Sequence, residues 1–341
     1  MGAQKVEMIE RVDKMSRRDF CTALLATCAT GLITPISDAK PRYPTDAKPF
    51  VKWVGGKGQL LKQLNDLLPS DFATRDDLTY VEPFVGGGAM LFFMLGTYPN
   101  IKRAIINDLN TDLITTYRVI KESPAALIQA LNRLQELYYA CVDEAARKAF
   151  YLSQRALYNE KTSADVETAA LFIFLNRTCF NGLYRVNSKG AFNVPFGKAE
   201  KPKICDEETI WADSALLQKV EILNGDFADV LPHVKGPAFF YFDPPYRPLT
   251  TTASFTAYSK EGFGDDQQKR LADLCRKIDQ AGNQWLLSNS DPQNVNPEDK
   301  FFEEIYEGFE IHRVSASRMV NSKASGRGKI TELAIRNYTK E

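Results

Sequence analysis

The chain has 341 residues, with 43 basic against 43 acidic side chains, 44% hydrophobic and 25% charged. That length suggests about two domains, or one domain carrying a large insertion. The ordinary globular composition excludes a disordered, collagen-like or transmembrane main body. A neutral total leaves no global attraction for nucleic acid, so any such attraction must be local. The six cysteines (Cys21, Cys28, Cys141, Cys179, Cys205, Cys275) include no closely spaced pair, and the two histidines, His233 and His312, are remote from them in sequence. No metal site and no Cys–His nucleophile is therefore expected, and scattered thiols suit a reducing compartment.

Residues 1–46 differ from the rest. Ser16-Arg17-Arg18-Asp19-Phe20 precedes a short apolar stretch and small residues at 37–39. This layout resembles a twin-arginine export signal. The alternative is an extension from a start placed upstream, and that is the expectation here, with a cytoplasmic protein and no membrane span. From Pro49 onward the pattern becomes α/β. Apolar residues at helical spacing predict a helix over 59–68. A strand follows at 78–81, then a glycine loop, a helix over 89–95 and a second strand at 103–106. Residues 110–176 read as almost entirely helical, and 177–203 as a loop rich in Gly, Asn, Lys and Arg. Strands resume at 220–223, 238–242 and 284–288, with a helix over 266–280. A hairpin-like pair near 308–314 and 330–338 completes the pattern. The expected fold is α/β, a doubly wound, mostly parallel sheet interrupted by a helical insertion. The catalytic domain is expected at 47–114 and 213–341, and the insertion at 115–212.

Two motifs carry chemistry. Phe84-Val85-Gly86-Gly87-Gly88 lies between a strand and a helix, where glycines let backbone N–H groups approach a ligand. Asp108, 20 residues past Gly88 and at the end of the next strand, is placed to accept hydrogen bonds from ribose hydroxyls. The dinucleotide fingerprint needs Gly or Ala where Leu91 stands, so another adenosine-containing ligand is favoured over a nicotinamide one. A tight turn with a solvated Asp remains the plain alternative. The second motif is Asp243-Pro244-Pro245-Tyr246, after the apolar strand 238–242. An exocyclic amine offers two N–H donors, which the Asp243 side chain and the Pro244 carbonyl can accept. Tyr246 offers a ring for stacking on a base. Ser288-Asn289-Ser290 ends a strand nearby, either shaping the pocket or capping the core.

Four blocks in order resemble the DNA adenine methyltransferase (Dam) family, of the D12 class: Lys52-Trp53-Val54-Gly55-Gly56-Lys57, residues 81–88, the pair 180–185 and 192–197, and Asp243-Pro244-Pro245-Tyr246. The resemblance covers about 49–340. It implies a Rossmann-like methyltransferase fold with a helical target-recognition insertion. The implied activity is transfer of methyl from S-adenosylmethionine to the N6 amine of adenine in duplex DNA, by base flipping and in-line transfer, within GATC. It implies Trp53, Lys57, Phe84, Gly86, Gly88, Asp108 and Asp243 at the cofactor, and Asp243, Pro244 and Tyr246 at the reacting amine. Lys52, Phe180, Asn181, Leu183, Arg185 and Pro195 are implied to face DNA, with the protein acting as a monomer. Ala199 stands where the family often has an aromatic residue, so no DNA contact is carried over there. The alternatives from sequence are the same chemistry on cytosine N4 or on adenine elsewhere, and a non-catalytic DNA-binding relative.

Local charge agrees with an anionic partner. Arg177, Arg185, Lys189, Lys198, Lys201 and Lys203 face a single acid, Glu200, within 176–203, and Arg318, Lys323, Arg327 and Lys329 face none within 315–329. These are the candidate phosphate contacts. His233 is expected in a surface turn, His312 on a strand and Trp285 in the core.

Overall fold

The computed structural model describes residues 46–58, 60–76, 78–249, 263–317 and 329–340. The twin-arginine-like segment lies outside them. After a short helix α1 (Leu61–Asp66), strand β1 (Leu78–Glu82) leads through the glycine loop into α2 (Ala89–Thr97) and β2 (Ile101–Asp108). Four helices follow: α3 (Thr111–Glu122), α4 (Pro124–Tyr139), α5 (Glu144–Glu160) and α6 (Asp165–Thr178). Helix α7 (Glu207–Leu217) returns the chain to β3 (Val220–Asn224) and β4 (Ala238–Phe242). Then come α8 (Asp265–Gln280), β5 (Gln284–Ser290), α9 (Phe301–Ile305) and the hairpin β6 (Glu310–Ser317) and β7 (Lys329–Arg336).

The seven strands form one sheet in the order β3-β2-β1-β4-β5-β7-β6. The first five are parallel, and β7 is antiparallel to both neighbours. The mostly parallel α/β sheet predicted from the motif order is therefore present. Because β1 pairs with β2 on one side and β4 on the other, the strand order reverses between β1 and β4. A crevice opens there at the carboxyl ends, the usual ligand position in such sheets. The glycine loop leaves β1 and Asp243 leaves β4 on either side of it.

Strand alternation divides the core. Tyr80, Phe239 and Tyr241 pack on one face with α2 to α7, while Val81, Phe240 and Phe242 pack on the other with α8, Trp285 and Tyr306. Helix α6 is buried along Ala169–Leu175, which accounts for its lack of a polar stripe: it is the central post of the inserted helices. Local signals start the other helices. Asn110 caps α3 by accepting from Leu113 N at 3.0 Å, Pro124 opens α4 and Asp143 caps α5 through Ala146 N at 2.7 Å. The first hydrophobic cluster runs without a break from the sheet into the inserted helices. Residues 115 and 212 both fall inside helices, α3 and α7, because each packs one face toward the sheet side and another toward the insertion. Among the described residues no helix is long and apolar enough to cross a membrane. Cys141, Cys179, Cys205 and Cys275 are free thiols, and among the described residues no cluster of three or more His, Cys, Asp or Glu is arranged to hold a metal.

Candidate functional site

The glycine loop is fixed from three directions. Gly86 and Gly88 have positive φ, 48° and 76°, which an L side chain rarely adopts. A Cβ at Gly88 would lie 2.4 Å from Tyr117 Oη, and one at Gly86 2.9 Å from the Trp53 ring. Tyr117 Oη donates to Gly86 O at 3.0 Å. Asp108 accepts from Gly86 N at 3.0 Å with Oδ2 and from Asn110 N at 2.9 Å with Oδ1. Each of its oxygens keeps a further lone pair for a ligand hydroxyl. Burial pushes the Asp108 carboxyl up, and these backbone N–H groups oppose that rise. Phe84 stacks on Phe227, with centroids 5.3 Å apart, and meets Phe263 edge-on.

Across the crevice, Lys57 Nζ lies 2.7 Å from Asp243 Oδ1, donates to Gly55 O at 2.7 Å, and sits 4.5 Å from the centroid of the Tyr246 ring. Lys57 is buried although charged, so its pairing with Asp243 is required rather than decorative. Burial raises the Asp243 carboxyl above its ordinary range, the Lys57 ammonium lowers it, and the Glu332 charge raises it again. Glu82, at the end of β1, is 2% exposed and accepts from Tyr80 Oη at 2.9 Å. Burial holds its carboxyl well above the ordinary range, against the Tyr80 hydrogen bond, and the nearby Asp243 adds to the rise. Tyr246 Oη donates to Glu332 Oε2 at 2.5 Å. Asp243 thus lies between the Lys57 ammonium and two further carboxyl groups, Glu82 and Glu332.

The backbone on either side of Tyr246 is held by two fully buried amides. Gln268 Nε2 donates to Pro245 O at 3.1 Å, and Asn289 Oδ1 accepts from Arg247 N at 3.2 Å. The two side chains are joined by Asn289 Nδ2 donating to Gln268 Oε1 at 3.0 Å. Ser290 Oγ donates to Arg247 O at 2.8 Å, while Ser288 Oγ shares a hydrogen bond with Tyr241 Oη at 2.9 Å. The strand end 288–290 therefore serves both roles left open by the sequence: Ser288 satisfies the core, and Asn289 and Ser290 secure the loop.

The segment after α6 forms an exposed ribbon. Cys179 bridges Phe196 and Val186 bridges Phe192 in antiparallel pairs, and Asn187 Oδ1 closes the tip by accepting from Lys189 N and Ala191 N. Gly197 must lack a side chain, since a Cβ there would lie 2.3 Å from Cys179 O. Asn181 adopts φ 56° and Phe180 is 49% exposed. Arg185 is exposed and its guanidinium is steadied by Asn193, with Nε to Oδ1 at 2.8 Å and Nη2 to the carbonyl at 3.3 Å. Lys52 and Pro195 are also exposed, whereas Leu183 is half-buried against the core. Tyr184 stacks on Trp53 with centroids 5.5 Å apart, linking the ribbon to the residue over the glycine loop.

Sequence reading missed several positioning groups. Asn176 accepts from Lys52 N at 2.8 Å and donates to Lys52 O at 2.8 Å and to Gly182 O at 2.9 Å, clamping the Lys52–Trp53 segment to the ribbon. Glu82, Glu332 and Gln268 are the others. One charge reading needs correction. Arg177 does not face outward: its guanidinium is largely buried and donates to Phe50 O at 2.7 Å, so it is a strut between α6 and the entering chain. Lys203 and Lys198 are paired, with Asp206 at 2.7 Å and Glu144 at 3.1 Å. Arg318, Lys323, Arg327 and the Lys329 side chain lie outside the described residues. His233 ends a turn against Glu221, His312 is on β6 beside Glu310 at 3.1 Å, and Trp285 is fully buried, as expected.

Comparison with known proteins gives a consistent result. The family model for D12 class N6 adenine-specific DNA methyltransferases matches residues 53–320. The Type II methyltransferase M.MjaIII of Methanocaldococcus jannaschii is 48% identical over 296 residues, 86% of this chain and 100% of that protein. The Type II methyltransferase M1.LlaDCHI of Lactococcus lactis subsp. cremoris is 40% identical over 85% of this chain and 95% of its own length. A DNA adenine methylase of Vibrio cholerae is 35% identical over 83% of this chain and 94% of its own.

Proposed function

The chain belongs to the D12 class N6 adenine-specific DNA methyltransferases, and from that premise we propose that it methylates adenine within GATC, on a base flipped out of duplex DNA into the crevice between the glycine loop and Asp243. It is an adenine-specific DNA methyltransferase with S-adenosylmethionine as donor. The residues suit that ligand. The positive-φ glycines, packed against Trp53 and Tyr117, keep the loop free of side chains of its own, and Asp108 keeps acceptor capacity for ribose hydroxyls beside it. Trp53, Phe84, Gly86, Gly88 and Asp108 would hold it, with Lys57 toward its carboxylate. When bound, S-adenosylmethionine supplies an electrophilic methyl for direct, in-line transfer to the amine nitrogen.

One observation carries the mechanism. A protonated nitrogen, Lys57 Nζ, stands 2.7 Å from Asp243 Oδ1 and over the Tyr246 ring, which is where a stacked base must put its exocyclic amine. Lys57 must cede that place when the base enters. Asp243 then accepts one amine hydrogen and the Pro244 carbonyl the other, which draws the nitrogen lone pair out of conjugation with the ring. Tyr246 stacks on the base. Acceptors already aimed at the nitrogen stabilise the positive charge that develops on it without reorganising. Extruding the base costs a few kcal/mol in unstacking, and Phe180 and Asn181 are exposed where they can fill the gap. The residues of 115–212 form the target-recognition part on the catalytic frame of 47–114 and 213–341. Arg185, held by Asn193, reads a guanine edge, and Lys52, Leu183 and Pro195 contact neighbouring bases. The enzyme acts as a monomer on DNA, in the cytoplasm. The test is incubation of a random-sequence duplex library with the protein and S-adenosylmethionine, followed by sequencing that detects methylated adenine. Methylation centred on GATC is expected; a motif lacking GATC rejects the specificity.

A further inference from the structure

We propose that Glu332 is a positioning residue for methyl transfer: from strand β7 it holds the Tyr246 phenol, so that the ring is a fixed floor under the target adenine. The proposal rests on the reading that this slot receives the base. Tyr246 belongs to the loop after β4, while Glu332 pairs with Ser290 on β5 and Val314 on β6. Their contact, Tyr246 Oη to Glu332 Oε2 at 2.5 Å, joins residues 86 positions apart. It therefore reaches across β5 to fix the far end of a ring whose near end is fixed by Gln268 and Asn289.

Three arguments favour orientation over simple bracing. Strand β7 already pairs along Lys329–Arg336 with β6 and from Glu332 to Arg336 with β5, so the sheet does not need this bond. A third carboxyl beside Asp243 and Glu82 adds like-charge repulsion, a cost that a glutamine would avoid. Finally, a hydrogen bond to a carboxylate is roughly twice as strong as a neutral one and enriches the ring in π-electron density. An electron-rich face favours positive charge over it, as the Lys57 ammonium already illustrates at 4.5 Å. The amine nitrogen gains such charge during transfer. Burial and the Asp243 and Glu332 charges hold the phenol far above its ordinary range, so Tyr246 stays a neutral donor throughout the working pH range.

The test compares the parent with Glu332→Gln, Tyr246→Phe and the double variant. It measures single-turnover transfer of labelled methyl to duplex DNA, together with the Kd for S-adenosylmethionine and for the duplex. Loss of ring orientation should slow Tyr246→Phe by about 10-fold to 100-fold, and the weaker neutral bond left in Glu332→Gln should slow that variant by less, with both Kd values unchanged. The double variant should be no slower than Tyr246→Phe alone, because Tyr246→Phe removes the bond that Glu332→Gln only weakens. Tyr246→Phe tests that bond from the other end should Glu332→Gln fold poorly. A Glu332→Gln enzyme at the parent rate, a double variant whose losses multiply, or an effect confined to Kd overturns the proposal. An inactive parent overturns the adenine reading itself, and the proposal with it.

Discussion

The loop after β4 and the ribbon after α6 are both short and irregular, and both act in the proposed function, yet they differ in what they leave exposed. The catalytic loop is held by buried partners distant in sequence: Gln268, Asn289, Ser290, Lys57 and Glu332. The ribbon is tied down at its base by Asn159 and Tyr151 of α5, but its outer part closes on itself, through Arg185 with Asn193 and the turn at Asn187, and leaves Phe180, Asn181, Arg185 and Pro195 exposed. One must present acceptors at a fixed point, so reorganisation is removed in advance. The other must meet a macromolecule, so its donors remain available at the surface. Substitutions should accordingly damage rate in the first region and specificity in the second.

The largest effect is expected at Asp243. Asp243→Ala should lower methyl transfer by at least about 100-fold; because it leaves the buried Lys57 ammonium without its partner, it should also lower the melting temperature, so calorimetry beside the assay fixes a temperature at which the variant is folded. The pH dependence follows from the same group. Burial raises the Asp243 carboxyl and catalysis needs its ionised form, so activity should be lost as pH falls through a value above the ordinary carboxylate range. Removing the opposing ammonium with Lys57→Met should move that acid limb upward. The stability linkage has the opposite sign. A carboxyl raised on folding contributes stability below its unfolded pKa and loses that contribution as pH rises through the folded one. An acid limb at or below the ordinary range would separate Asp243 from catalysis.

Next comes Asn289→Ala, which strands Gln268 Oε1 and Arg247 N. Leaving buried groups unsatisfied should cost about 1–3 kcal/mol of stability, read from urea unfolding, and should lower kcat more than DNA affinity. A lost affinity with intact kcat would show that this loop does not need its buried support. In the ribbon, Arg185→Ala should leave stability and maximal rate nearly unchanged and cost about 1–3 kcal/mol of discrimination at one guanine. Unaltered base preference would remove Arg185 as the reader. Smallest of all, Lys201→Ala should weaken binding to every sequence and reduce the salt slope by about one unit. A sequence-dependent loss would place Lys201 among the base contacts instead.

The same contrast explains what the sequence made legible. Strands β1 to β5, the glycine loop and Asp243-Pro244-Pro245-Tyr246 are local patterns: alternation, glycines and prolines at fixed offsets. They appear where periodicity places them. Glu332 and Asn176 act through contacts 86 and 124 residues away, and no local pattern marks such a partner. Arg177 shows the converse. Its place in a basic run suggests a phosphate contact, but the approach of Phe50 O to its guanidinium is a tertiary event with no trace in the run itself. Leu183, counted among outward residues, is half-buried against the core, next to Tyr184, which packs on Trp53 and Phe172.

The central claim is that one slot, bounded by Asp243 and Tyr246, receives the adenine that Arg185 helps select. It is tested most directly by methylating a random duplex library with the parent and with Arg185→Ala, and sequencing the modified adenines. The account predicts N6-methyladenine confined to GATC for the parent, and a site relaxed at one guanine for the variant. Parent methylation centred on a sequence without GATC, or a variant with the parent's base preference, would contradict it.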